Sequence, residues 1–280
     1  MFPKLALLAL LAACRPASSD KDDTDAPLDS EDTDAPAGDG TDDDDGGGPT
    51  AREDNLNSSA GDFALDFLTE AAFDQVFVEV DHIEGHAPDP AALEGLRAMI
   101  EQRCHKSGGI EILVDDVIPD QGGPIWTVPD GEAMEIAWRD RYHDPETGVA
   151  VLYVLYLDGN ASRDGDNTTT LGYAYHGSSV VLFDESIDTV RGALPLLSGN
   201  PERTVLRHEL GHILGLVNNG VRMTEDHQDR PYGNHDINDE CLMYWAVETG
   251  GLADLLLGDE PDLDAACLAD LEAAGGRPAR

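Results

Sequence analysis

The apolar positions of the chain change period in ways that mark out elements. Residues 72–80 alternate apolar and polar, with Phe73, Val76, Val78 and Val80 apolar, and a repeat of two predicts a strand. From Asp89-Pro90 the spacing changes to that of a helix. Leu93, Leu96, Met99 and Ile100 share one face to about Cys104, with an aspartate and a proline at the start. Gly108-Gly109 breaks this helix, and residues 110–118 predict a second strand closed by Pro119. The pattern weakens over residues 119–148, where 132–139 read as a short helix and Trp126 and Trp138 as packed side chains. Residues 149–157 (VAVLYVLYL) form a nearly continuous apolar run, the composition of a central strand covered on both faces. Residues 171–175 and 179–183 predict two short strands, Asn200-Pro201-Glu202 starts another helix, and 262–273 reads as a last one. The order describes one α/β (α+β) domain over residues 61–280, within the size of a single domain.

Ahead of this body the chain reads as an address and a spacer. Lys4 precedes an apolar run at 5–13 that is too short to span a bilayer and has the length of a signal-peptide core. Leu11-Ala12-Ala13-Cys14 resembles the bacterial lipobox, which implies cleavage before Cys14 and a lipid on that cysteine. By the same resemblance, Arg15 in place of an aspartate implies an exported lipoprotein of the outer membrane or cell surface. Segments such as DSEDTDAP and TDDDDGGGPT hold almost no apolar residue. They cannot bury enough surface to offset chain entropy, and their like charges extend them. The expected layout is a signal peptide at 1–13, an acidic disordered tether at 14–60 and a folded domain at 61–280, joined to the membrane through the N-terminal lipid.

Charge narrows the partners. The formal net charge is −40, from 57 acidic and 17 basic side chains, and 16 of the acidic ones fall within residues 15–62, so the body is itself strongly acidic. Such a surface repels nucleic acid and anionic membranes, which excludes a nucleic-acid function, and the expected state is a soluble monomeric body. With Cys14 lipidated, Cys104, Cys241 and Cys267 remain. In an oxidising compartment two of them can pair, and the sequence does not fix which.

The chemistry concentrates at residues 208–215, which read HExxHxxG. His208 and His212, four apart, lie on one helical face and can bind one Zn²⁺, with Glu209 beside them as general base toward a water. A catalytic Zn²⁺ needs a third protein ligand and an open position. In the metzincin pattern HExxHxxGxxH that ligand is a histidine three residues after the glycine, but Asn218 stands there, followed by the turn signal Asn219-Gly220. The pattern resumes downstream. His235 lies eight residues before Met243 in Leu242-Met243-Tyr244, and Cys241 six after it, an arrangement similar to matrix metalloproteases and archaemetzincins, although Asp236 replaces the archaemetzincin cysteine next to the histidine.

The resemblance implies a metzincin-like zincin domain: a mixed twisted sheet, an active-site helix, a Met-turn at Met243, and an insertion at 218–234. His235 is then the expected third ligand, and His227, inside the insertion, is the alternative. It further implies a zinc endopeptidase acting on a peptide or protein substrate. Residues 171–175 would be the edge strand that pairs with the substrate, and residues 244–248 would line the S1′ wall. A non-catalytic binding module of the same fold is the rival reading, and Glu209 argues against it because metal binding alone needs no base. Residues 158–167 mimic part of an EF-hand, but Arg163 stands where that loop needs glycine and Thr169 where it needs glutamate, so Ca²⁺ is weakly supported. His82, His86, His105, His143 and His176 have no ligand spacing and are expected in loops or at the surface.

Overall fold

The computed structural model describes residues 50–165, 168–193 and 199–279. The signal-like run, Cys14 and the acidic stretch up to residue 49 lie outside the described residues, as do positions 166–167 of the polar loop. The first half of the described chain runs α1 (Ala51–Leu56), α2 (Ala64–Leu68), β1 (Gln75–Ile83), α3 (Pro90–Arg103), β2 (Gly109–Ile118), β3 (Ile125–Trp126) and α4 (Val128–Trp138). The second half adds β4 (Val149–Leu157), β5 (Asn160–Ala161), β6 (Gly172–Ala174), β7 (Ser179–Phe183), α5 (Asp184–Ala193), α6 (Pro201–Ile213), α7 (Leu252–Leu255) and α8 (Ala265–Ala273).

Five strands form one mixed sheet in the order β2-β1-β4-β7-β6. The first four are parallel, with Val78 opposite both Ile112 and Leu152, and β6 closes the edge antiparallel to β7. The apolar run of β4 is explained by burial on both faces. Ala150, Leu152, Val154 and Tyr156 join one core with Leu96 and Ile100 of α3 and Val205, Leu206 and Leu210 of α6. Tyr153, Leu155 and Leu157 join the other, with Trp126 and, partly buried, Met134 and Trp138 on the α4 side. A strand with helices against both faces has no side left for polar residues.

Helix starts follow local chemistry. Asp89 Oδ1 accepts from the Ala91 N–H, and Asn200 caps α6 by accepting from the Arg203 N–H, each with proline in the first turn. α4 begins at Val128, ahead of the expected residue 132, because Thr127 and Asp130 form a reciprocal capping box. Among the residues of α5 whose burial is described, Ile187 and Val190 are the buried apolar ones, too few for the helical period to stand out in the sequence.

The body also reaches further back than residue 61. α1 is capped by Thr50 and Glu53, and Asn55 is fully buried. Asn55 Nδ2 donates to Glu135 Oε1 at 2.9 Å, and Ser178 Oγ donates to Asn55 Oδ1 at 2.6 Å. Residues 50–60, assigned to the tether on composition, therefore belong to the packed domain. Two histidines also depart from expectation. His82 and His143 are buried, and His143 packs against the rings of Phe63, Phe67 and Phe73. No helix among the described residues is long and apolar enough to cross a membrane.

Candidate metal centre

α6 carries His208, Glu209 and His212 into the interior, where Glu209 and His208 have no exposed surface and His212 retains 8%. The helix ends as Gly215 turns left-handed at φ 79°. A Cβ there would stand 2.8 Å from Val221 N, so only glycine fits this exit. Val217 and Asn218 continue in the left-handed region, at φ 54° and 61°. The chain then makes its excursion and is tied back where it returns: Asn234 Nδ2 donates to Asn219 Oδ1 at 3.1 Å, and Asn219 Nδ2 donates to His212 O at 3.2 Å. Closing the loop on itself brings His235 beside the helix that the sequence leaves at Gly215.

The structure brings His208, His212 and His235 together. The ring centroids are 4.8 Å apart for His208 and His212, 5.3 Å for His208 and His235, and 5.0 Å for His212 and His235. Nδ1 of His208 donates to Leu242 O and Nδ1 of His235 to Tyr232 O, each at 2.6 Å. A carbonyl only accepts, so the proton sits on Nδ1 and the lone pair is left on Nε2. His208 Nε2 and His212 Nε2 face each other at 3.1 Å, a separation that needs a proton or a cation between them. His235 Nε2 and both oxygens of Glu209 are buried without a hydrogen-bond partner. One ring nitrogen from each of the three histidines and one oxygen of Glu248 lie within 4.8 Å of one another, a donor set that fits a divalent metal.

The electrostatics divide the three histidines: burial lowers His235, but the Glu248 carboxylate outweighs it and holds the imidazole raised, whereas the other two are lowered. Burial pushes His208 down to about 4 and His212 well below the usual imidazole range, with the neighbouring histidines adding to it, so both stay neutral and able to ligate. Burial pushes Glu209 well above the carboxylate range, the Glu248 carboxylate reinforces this, and Arg163 works against it.

The segment holding Met243 lies directly beneath the helix. A Cβ on Gly211 would come within 2.3 Å of Met243 Sδ, so the thioether occupies the space that the missing side chain leaves. Leu242 O orients His208, and the Asp236 N–H donates to Met243 O at 2.8 Å. Beyond this turn the chain runs along the entry to β6. The Leu171 N–H donates to Glu248 O at 2.9 Å and the Gly250 N–H to Thr169 O at 3.0 Å. In β6, Tyr173 pairs with Val181 while Leu171 and Tyr175 bond across to Phe183 and Ser179, so Gly172 and Ala174 turn their peptide groups to the open edge.

His227 belongs to a different group of side chains. Its Nδ1 lies 2.6 Å from Asp236 Oδ2 and its Nε2 2.9 Å from Asp270 Oδ2. Burial lowers its pKa, but the hydrogen bonds to Asp270 and Asp236 outweigh that and hold it raised, and the side chain bridges the insertion to α8. Both nitrogens face carboxylates rather than His208 and His212, and His227 groups instead with Asp236, Asp264 and Cys267. Cys267 Sγ lies 3.5 Å from Asp236 Oδ2 and 3.8 Å from Cys241 Sγ, while Cys104 is buried elsewhere, at the end of α3.

Two residues at the site have no signal in sequence spacing. Arg163, from the loop that mimics an EF-hand, donates to Thr170 Oγ1 and Gly172 O and stacks 4.7 Å over Tyr173. In that loop Asp158 and Asp164 accept from the backbone N–H groups of Gly123 and Thr170. Glu248, expected only as part of the S1′ wall, joins the three histidines.

No family model and no curated protein matches the chain. Among solved structures it is similar to an archaemetzincin from Methanopyrus kandleri, at 11% identity over 72% of this chain and 96% of that one, with a TM-score of 0.47. It is also similar to a zinc-dependent peptidase from Methanocorpusculum labreanum, at 15% identity over 70% and 99% of the two chains, with a TM-score of 0.39. An archaemetzincin from Archaeoglobus fulgidus aligns at 14% identity over 70% and 99%, with a TM-score of 0.37.

Proposed function

We propose that the chain is a zinc-dependent endopeptidase. The observation that carries this reading is the convergence of His208, His212 and His235 beside a buried glutamate with no partner of its own. The three imidazoles would hold the metal through Nε2, with Leu242 O and Tyr232 O fixing the tautomers of His208 and His235. Bound there, Zn²⁺ supplies Lewis acidity, polarising a peptide carbonyl and lowering the pKa of water to about 7. Glu209, returned to its carboxylate form beside the divalent charge, takes the proton of the attacking water and delivers it to the leaving amine. The peptide groups of Gly172 and Ala174 would receive the substrate as an added strand, and Arg163 fixes the Gly172 carbonyl at that edge. Met243 supports the floor and takes no chemical part.

The test is zinc content and peptide cleavage by the full chain. Glu209→Gln should keep its zinc and lose about 10²- to 10⁴-fold in turnover, the range of a general base. His235→Ala should lose the metal and His227→Ala should keep it. A chain that binds zinc and cleaves nothing, with Glu209→Gln indistinguishable from it, would make this a binding module instead.

The same proposal includes export and a lipid on Cys14, supported by the apolar run at 5–13 and the lipobox-like Leu11-Ala12-Ala13-Cys14. Fatty-acid labelling in a bacterial host should mark the wild-type chain and not Cys14→Ser. Equal labelling of both would end this part of the reading.

A further inference from the structure

Glu248 completes a group of four potential ligands. One oxygen of its carboxylate and one ring nitrogen from each of His208, His212 and His235 all lie within 4.8 Å of one another. Ligands about 2.0–2.2 Å from a tetrahedral Zn²⁺ stand ~3.4 Å from each other. The 3.1 Å between His208 Nε2 and His212 Nε2 and the 3.8 Å between His235 Nε2 and Glu248 Oε2 bracket that edge. Among the described residues, His235 is the one ion-pair partner of this carboxylate, so no Lys or Arg competes for it.

The backbone presents it. Glu248 ends a 3₁₀ turn at Trp245–Glu248, and its carbonyl is held by the Leu171 N–H while Thr249 bridges to Thr170. The side chain is 23% exposed, against 10% for His235, so of the two it is the one nearer solvent.

We propose that Glu248 is a fourth protein ligand that closes the metal site in the resting protein and withdraws when substrate enters. Four protein ligands make a closed, structural-type site, whereas catalysis needs one position open. Glu248 thus acts as a built-in latch at the junction of the S1′ segment and the edge strand. A peptide that pairs along β6 meets the 248–249 segment first, and displacing the carboxylate couples strand addition to opening the site. The exchange is of ligands only, with no electron transfer and no covalent change in the chain.

The inference rests on the metal-binding reading above, and the experiment separates the two. Zinc affinity of the full chain is measured by competition with a chromophoric chelator, and the Co²⁺-substituted protein by its visible absorption. Wild type, Glu248→Gln, Glu248→Asp and His212→Ala are compared. The expected result is stoichiometric metal in wild type, about 10- to 100-fold weaker binding in Glu248→Gln, and a Co²⁺ band altered in position and intensity. Glu248→Asp, which keeps the charge but shortens the reach, should weaken binding as well, which a purely electrostatic role would not produce. Wild-type affinity and an unchanged band in Glu248→Gln, with His212→Ala losing the metal, would overturn the latch and leave the metal centre standing. Wild type without stoichiometric metal would overturn both.

Discussion

His143 shows what burial does to a titratable side chain with no functional spacing. It sits among three phenylalanine rings, and burial, with Arg139 and Lys106 adding to it, pushes its imidazole down to about 3. An unfolded histidine titrates at about 6.5. Between these values the unfolded chain takes up a proton that the folded chain refuses, so the contribution of His143 to stability is present above pH 6.5 and is lost as the pH falls. Each pH unit in that window corresponds to about 1.4 kcal/mol for one group. Chemical denaturation of His143→Gln between pH 6.5 and pH 4 should therefore show a shallower fall in stability than wild type, whatever the offset at neutral pH. Parallel curves would show that His143 is not the group responsible. At the three-histidine cluster the same physics would serve the proposed ligation. Burial that keeps His208 and His212 neutral also keeps their lone pairs free.

Elements here are joined by polar networks as well as by apolar packing. Glu135 of α4 and Arg139, which caps its C-terminus, form an ion pair at 2.7 Å, and neither side chain has any exposed surface. Asn55 of α1 and Ser179 of β7 also donate to Glu135, and Arg139 donates to Ser178. Removing one partner strands a buried charge, so Arg139→Met should cost about 3–5 kcal/mol in urea denaturation. The double variant Glu135→Leu with Arg139→Met should be more stable than that single variant, because no unpaired charge remains, though short of wild type because Asn55 and the serines lose partners. A double variant no more stable than Arg139→Met would mean that packing rather than charge carries the junction. The elements are legible in the sequence to different degrees. β4 and β7 match the expected bounds because long or β-branched apolar runs leave no alternative. α1 and α5 were missed, one inside an acidic, glycine-rich stretch and the other for want of apolar residues. The Thr50–Glu53 capping box was the available signal for α1.

At the scale of the whole molecule the described residues, from 50 to 279, form one compact unit. Composition had placed its start at residue 61. A chain begun at residue 48 should unfold at a higher temperature than one begun at residue 61, by at least about 4 °C, because the shorter chain loses α1 and the contacts it makes. Those contacts include Asn55 to Glu135 and the Gly177 N–H donated to Ser58 Oγ at 2.8 Å. Equal melting temperatures would show that α1 rests on the surface without contributing to the fold.

The sequence by itself determined the helical pair His208 and His212 with Glu209 between them, because i, i+4 spacing is a property of one helix and needs no tertiary information. It also determined the central strands and the break at Gly215, which local sterics and burial patterns specify. It left His235 and His227 as rivals, since the path of a 17-residue insertion (218–234) is not written in any period. Tertiary structure places His235 beside His208 and His212 by closing that loop, through Asn219 and Asn234, and sets both nitrogens of His227 against Asp236 and Asp270. It likewise brought Glu248 and Arg163 to the site from segments far apart in the chain. Residues that meet only because a sheet edge, a turn and a helix pack together carry no mark of that meeting in their spacing.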